Sequence, residues 1–508
     1  MTNDEGAIHV ARGTSYLFVQ NLASTIVTVI AFAIIARFIT QLDMGVLASI
    51  TLIVGFFTTF SSVGLPNATT KFVAQFMGKG DRDSASGVSL QTLKITLLFS
   101  GLGTVIAFVL SDSISFWVFK SADYGIMLKV LALDIIFASL FPSLSSILVG
   151  LQKIGAIAKL SFAKLALRMI LIVGFVVAGF GLLGIVVAWI FSDLVACILC
   201  SAVVWKFFGF SSSSFSLKLL MKFSFPLYLS AIGVFLYGWF DQALLLALAS
   251  LESLGVYSVV LRAFGVLDGV SIALSTALFP RYSEIDGRHG VESIEKAVVT
   301  ATRYVFFLIL PVAFTLLVLA EPAISLFVGD IYAVGSSSLM ILSFFFAITS
   351  IQLALSGLLI VLDETRIASA VTVASLVVGM ILAWILLPSL GIVGSSIARG
   401  LSMAFGTGLT LWILRKKMKL SIDGEAFWKS LVASLSLVVV TGVALYFYNS
   451  KFLLPVYIII ATFTYLGVLK MLKAIRKTDT DLIRSYLGRR MGFLIRPIEV
   501  FFFGRSKL

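Results

Sequence analysis

Apolar runs of about 20 residues, the length that spans a hydrocarbon core, follow one another along this chain with only short polar breaks. The pattern predicts fourteen transmembrane helices, over residues 15–38, 44–65, 88–111, 126–151, 160–180, 183–205, 223–250, 256–279, 304–320, 339–362, 368–387, 392–414, 431–448 and 453–470. No soluble domain fits between them, so the expected fold class is an all-α integral membrane protein. An even number of spans places both ends of the chain on one side. The longest cytoplasmic connection inside the repeats described below, residues 281–303, has room for a short amphipathic helix, and outer ones such as GFGLLG at 179–184 carry hardly any polar surface. That leaves no room outside the membrane for an active site.

The two halves of the chain echo one another. LGIV at 183–186 recurs at 390–393, Gly45-Val46 after the first span recurs as Gly255-Val256 after the seventh, and VGLQK at 149–153 aligns with IVLDE at 360–364, at offsets of 207, 210 and 211. Three landmarks in one order at nearly one offset point to a six-plus-six duplication. The expected architecture is two pseudo-symmetric six-helix lobes related by an axis along the membrane normal, with a substrate path between them. Residues 1–222 form the expected N-lobe with helices one to six, and residues 223–419 the C-lobe with helices seven to twelve. Two extra C-terminal helices follow in residues 420–472. Residues 473–508 are a basic cytoplasmic tail whose Arg and Lys alternate with Leu, Ile and Phe, suited either to the headgroup region or to a disordered or partner-binding role.

Composition agrees with the pattern: of 508 residues 59% are hydrophobic and 12% charged, at a mean hydropathy of +1.09. Charge then orients the chain. Of 38 Lys and Arg, the spans place Arg37, Lys120, Lys129 and Lys451 toward the outside and Lys94, Arg168, Arg262 and Arg399 within the membrane, which leaves 30 on the side of the termini. Basic residues collect on the cytoplasmic side, so both termini are expected there, in a multi-pass protein of the plasma or inner membrane. The net charge of +13 is therefore mainly a topology signal, and no nucleic-acid partner is expected. The first apolar run follows MTNDEGAIHVARG and is too long for a cleaved signal, so it is read as a retained span. Cys197 and Cys200 lie inside a span with no second pair nearby and read as small apolar residues.

Charges inside spans are the informative positions. Asp134, Asp193, Asp241 and Asp268 are acidic, Arg262 and Arg399 basic, and Arg37 sits at the outer end of the first span. At the centre of a lipid-exposed helix each would cost about 2.5–3.5 kcal/mol, so they must face protein or water. A polar cavity between the two bundles would accommodate all seven; paired structural charges that lock helices together are the alternative. Arg262 and Asp268 are poor partners for each other, because six positions on a helix separate their side chains by about 240°. Lys94 and Arg168, near the cytoplasmic ends of their spans, are expected to snorkel to the headgroups. Pro142 and Pro311 interrupt the fourth and ninth spans, and Gly391, Gly394, Ala398, Ser402 and Gly406 form a small-residue stripe on the twelfth that suits close helix packing. HExxH, GxxxxGK[ST], GxSxG, a paired CxxC and TVGYG are all missing, and His9 and His289 lie in polar flanks. Metal or nucleophilic catalysis has little to stand on, and no cofactor is expected.

GLPNATTKFVAQFMGKGD at 64–81 and LFPRYSEIDGRHG at 278–290 resemble the cytoplasmic hooks of the polysaccharide flippases of the multidrug/oligosaccharidyl-lipid/polysaccharide (MOP) superfamily, and ILPVAFTLLVLAEPAISLFVGDIY at 309–332 resembles their ninth span and following loop. The resemblance covers nearly the whole chain. Fourteen spans look like the Wzx-type and lipid II flippases, whereas the drug-exporting branch usually has twelve. It implies a flippase, not an enzyme, that moves a polyprenyl-phosphate- or pyrophosphate-linked glycan from the cytoplasmic to the outer leaflet by alternating access, for surface polysaccharide or glycoprotein glycan assembly. Arg262 matches the place of a cavity arginine of the lipid II flippase, and Asp241 resembles a sodium-site acid there. On this reading Arg37, Arg262 and Arg399 hold the phosphate, while Asp134, Asp193, Asp241 and Asp268 either bind a coupling Na+ or H+ or balance the arginines. Membrane lipid and glycan-assembly enzymes are the implied partners. Two rivals remain open. A cation-coupled exporter of organic cations would use the four acids as working residues, and a membrane glycosyltransferase or polymerase would need a large external loop or an interfacial carboxylate pair, neither of which is visible.

Overall fold

A computed structural model describes residues 27–208, 215–289, 291–355 and 357–476, with Ser24 and Phe502; between residues 268 and 292 it describes only part of the side chains. The start of the first expected span and the basic tail beyond Arg476 lie outside the described residues. All regular structure among the described residues is helical. Among the described residues, eleven helical stretches are long and apolar enough to cross a membrane. One of them, Thr365–Lys417, runs for 53 residues and carries two of the expected spans, broken at Gly391. Gly391 has φ +55° and ψ −133°, a conformation that glycine adopts without a Cβ penalty, so the expected loop is reduced to a single hinge residue.

The helix Arg82–Val118 shows what these sequences are built for. Thr92, Thr96, Ser100, Thr104, Ser111 and Ser115 are buried, while Leu98, Leu102, Val105 and Val109 are exposed. Its small hydroxyls recur at steps of four or seven residues and face inward; its aliphatic residues face outward. That is the reverse of a soluble helix and suits a lipid solvent, in which hydroxyls join helices. Such bonds include Thr69 Oγ1, 2.7 Å from Thr92 Oγ1, and Thr96 Oγ1, 3.0 Å from Ser143 Oγ.

The chain divides into two compact units. The first comprises Met1–Val260, Phe327–Val334 and Ser369–Arg399, the second Leu261–Leu326, Gly335–Ala368 and Gly400–Leu508. Within the first, in chain order, are α1 (Val27–Phe38), α2 (Gln41–Ser62), α3 (Leu65–Gly78), α4 (Arg82–Val118), α5 (Gly125–Ala132), α6 (Asp134–Gly150), α7 (Ile154–Val177), α8 (Gly181–Phe208), α9 (Leu217–Leu248) and the beginning of α10 (Leu251–His289). Thr40 starts α2 with a reciprocal cap: its Oγ1 accepts from the Asp43 N–H at 3.1 Å, and Asp43 Oδ2 accepts from the Thr40 N–H at 3.3 Å. A core of Leu65, Val88, Ile147, Leu148, Cys200 and Leu220 ties α3, α4, α6, α8 and α9 together. Both cysteines are free and buried in it, as small apolar residues.

Gly45 and Gly255, an echoed pair in the sequence, meet face to face. A Cβ on Gly45 would lie 1.8 Å from the Leu251 carbonyl oxygen, and one on Gly255 would lie 2.0 Å from that of Gln41. Only glycine lets the two helix backbones come this close. The fourth expected span breaks at Leu133, between α5 and α6, while Pro142 stays inside α6. Leu133 keeps helical φ and ψ of −63° and −30°, so the interruption is local, and Asp134 follows it as the first residue of α6.

The second unit is organised around the helix Val291–Val318. Against it pack Gly424–Phe447 and Leu454–Met471, the two C-terminal helices. The Ser430 hydroxyl donates to the Phe306 carbonyl at 2.8 Å and the Tyr465 hydroxyl to that of Phe307 at 3.0 Å. Arg303, itself buried, closes one end: it bonds Asp423 Oδ2 at 3.1 Å and the Ala474 carbonyl at 2.7 Å, which ties down the start of the basic tail.

Candidate functional site

Four of the seven expected charges fall into two groups inside the first unit. In one, α9 presents Asp241 with no exposure at all. Arg399, the last residue this unit takes from the long helix Thr365–Lys417, grips it bidentately, with Nε 2.5 Å from Oδ2 and Nη2 2.8 Å from Oδ1. The Tyr257 hydroxyl, from the first turns of α10, donates to Oδ2 at 2.5 Å, and the Gln242 N–H to Oδ1 at 2.9 Å. Arg399 Nη2 also donates to the Gly238 carbonyl at 2.7 Å, and its guanidinium lies 5.7 Å from the Phe240 ring centre. Phe240, Leu376, Ala383 and Ala398 close an apolar wall around the pair. Both oxygens of Asp241 are therefore spent. The Arg399 side chain keeps 15% of its surface accessible.

The second group sits where α6, α7 and α8 pack. Lys164 and Arg168, one turn apart on α7, both close onto a single oxygen of Asp193, with Lys164 Nζ at 3.0 Å and Arg168 Nη2 in direct contact. Arg168 Nε donates to Ser192 Oγ at 3.1 Å. The cations also lie over aromatic faces, Lys164 4.3 Å from the centre of Phe141 and Arg168 5.5 Å from that of Trp189. Asp134 is within electrostatic reach of all three charges. It is 1% exposed, and its Oδ1 accepts no hydrogen bond among the described residues.

Arg37 is exposed at the end of α1, and Arg262 is exposed on the part of α10 that belongs to the second unit. The Asp268 side chain lies outside the described residues. Arg168 corrects an expectation: it is drawn inward to Asp193 instead of snorkelling, because a buried carboxylate offers a charge-assisted bond that a distant headgroup does not. Lys94 is exposed. Sequence reasoning passed over Lys164 and Tyr257. Lys164 had a visible signal, since it falls four residues before Arg168 in a span and so shares its face; a tyrosine in an apolar helix carried none.

Hydroxyls turned inward, aliphatic side chains turned outward and ion pairs buried within apolar helices define a multi-pass membrane protein, and the fold is that of the MOP-superfamily transporters. The chain belongs to the family of polysaccharide biosynthesis proteins, whose family model matches residues 34–337. A second model, that of the lipid II flippase MurJ, matches residues 253–466. The probable low-salt glycan biosynthesis flippase Agl15 of Haloferax volcanii is 25% identical over 409 residues, which cover 78% of this chain and 82% of that one. Among solved structures, lipid II flippase MurJ in an inward closed conformation aligns with a TM-score of 0.70 at 15% identity, over 93% of this chain and 99% of that one. An inward-facing multidrug resistance MATE family transporter aligns with a TM-score of 0.65 at 17% identity, over 79% and 98%. At such identities the two structures speak for the fold alone.

Proposed function

We propose that this protein is a flippase that moves a polyprenyl-phosphate- or pyrophosphate-linked oligosaccharide from the cytoplasmic to the outer leaflet of the cell membrane by alternating access, in the assembly of surface polysaccharide or glycoprotein glycan. It is a transporter and makes no covalent bond. The observation that carries the reading beyond family membership is the state of Arg399. Asp241 holds the guanidinium in place within the bundle while part of the side chain stays accessible to a ligand, and a fixed planar fork of that kind suits phosphate. Arg37 and Arg262 are the further phosphate ligands of this proposal, and the isoprenoid tail stays in lipid. Fourteen spans, two six-helix lobes with two added helices, and both termini in the cytoplasm complete the arrangement. Glycan-assembly enzymes supply the substrate, and Na+ or H+ is the driving ion.

An exporter of organic cations would require free carboxylates. Asp241 is saturated by Arg399, Tyr257 and the Gln242 N–H, Asp193 already holds two cations, and Asp134, whose Oδ1 is unspent, is buried within reach of the same two cations, so these three acids favour an anionic cargo.

Reconstitution of the full chain in sealed vesicles with defined lipid-linked oligosaccharides tests the proposal. Wild type is expected to transfer the glycan between leaflets, and Arg262→Ala to abolish transfer at unchanged protein abundance. Loss of Arg262→Ala through misfolding alone would make the arginine structural, and a wild type that leaves the glycan on its original leaflet would overturn the function.

A further inference from the structure

Lys164 and Arg168 neutralise one carboxylate of the second group and leave another bare. Asp134 is buried at the first position of α6 with an oxygen that receives no hydrogen bond from the described residues. The charges acting on it are Asp193 from α8 and Lys164 and Arg168 from α7. Other neighbouring groups are committed elsewhere. The Cys197 thiol of α8 donates to the Phe137 carbonyl at 3.4 Å, and the Thr104 hydroxyl of α4 to the Ala132 carbonyl at 3.1 Å. Lys129 of α5 pairs with Asp112 of α4 at 2.7 Å. Of the other helices packed on α6, α2 keeps Asp43 in its N-terminal cap and α3 keeps Lys71 over the Phe223 ring.

An ionised carboxylate with a bare oxygen is costly inside a bundle, whereas a carboxylic acid carries no net charge to desolvate. Were both acids ionised, two cations and two carboxylates would be expected to pair one to one. Instead both cations close on Asp193. A sodium ion in the same place would sit beside two fixed positive charges, with a single unspent carboxylate to hold it.

The geometry points to Asp134 as a proton-binding site: Oδ1 carries one proton in this arrangement, and release of that proton creates a second carboxylate that competes with Asp193 for Lys164. Lys164 suits the exchange, because its ammonium sits on a flexible stem and has donors to spare. Protonation thereby shifts a salt bridge between α6 and α8, two helices that pack on each other. The proton balance is simple: one proton enters from or leaves to water, and no other bond changes. Only the coupling of this proton to glycan movement rests on the flippase reading.

Two measurements separate the site from the coupling. Infrared spectra of the full chain in sodium-free lipid vesicles at neutral pH should show a protonated carboxyl band that disappears in Asp134→Asn, the uncharged mimic of the protonated acid. A wild type without that band, or a variant that keeps it, overturns the proton site whatever the protein transports. In vesicles holding lipid-linked oligosaccharide, a pH gradient should speed transfer in one direction and slow it in the other. Asp134→Asn should lose this dependence and give one rate for both gradients. A variant that retains the gradient response, or a wild type that answers to sodium and not to pH, overturns the coupling. Should Asp134→Asn fail to accumulate, Lys164→Gln serves in its place: the carboxyl band is expected to stay and the gradient response to vanish, and a retained response counts against the proposal.

Discussion

Two buried aspartates in one unit are neutralised in different ways. Asp241 meets one arginine that occupies both its oxygens, with a tyrosine hydroxyl and a backbone N–H completing the shell. Asp193 collects two cations on one oxygen, beside an acid that has none. The first arrangement has one geometry and behaves as a strut between α9, α10 and the long helix that bears Arg399. The second has a spare acceptor and a flexible donor, so another pairing is open to it. A buried ion pair by itself therefore does not distinguish a lock from a switch; the count of donors against acceptors does.

Removing the single partner should produce the largest effect. Arg399→Ala leaves Asp241 buried and charged, at a cost of about 3–5 kcal/mol, seen as a lowered thermal unfolding midpoint and reduced abundance. Wild-type stability in that variant would break the description of a strut. Tyr257→Phe removes one hydrogen bond to a charged acceptor, about 1.5–3 kcal/mol, and thermal unfolding should rank it between the other two variants. Lys164→Gln should cost least, about 1 kcal/mol, because Arg168 still neutralises Asp193. If its unfolding midpoint falls as far as that of Arg399→Ala, the two regions are equivalent and the distinction between lock and switch disappears.

Much of this was legible in the sequence. The all-helical membrane class and the interior placement of Asp134, Asp193, Asp241 and Arg399 followed from spacing and composition, whereas the Gly45 and Gly255 echo read only as a landmark of the repeat and gave no sign that the two glycines meet. What was not legible was partnership. Arg399 and Asp241 are 158 residues apart, and which acid an arginine meets depends on the rotation and tilt of both helices. Arg168 illustrates the failure: its depth suggested snorkelling, and its rotation turned it to Asp193. The two spans inside the 53-residue helix, by contrast, were legible as 368–387 and 392–414; only the reduction of their connection to Gly391 was not, because a lone glycine with a positive φ ends a span as well as a polar loop does.

The sequence by itself determined the solvent in which this protein folds, since a run of apolar residues long enough to cross a bilayer has no other way to satisfy its backbone and bury its side chains. It also determined that its few interior charges could not face lipid. Only the tertiary structure decided which of them neutralise each other and which oxygen is left over. Those outcomes depend on distances of a few ångströms between side chains from separate helices, and hydrophobic periodicity constrains such distances hardly at all.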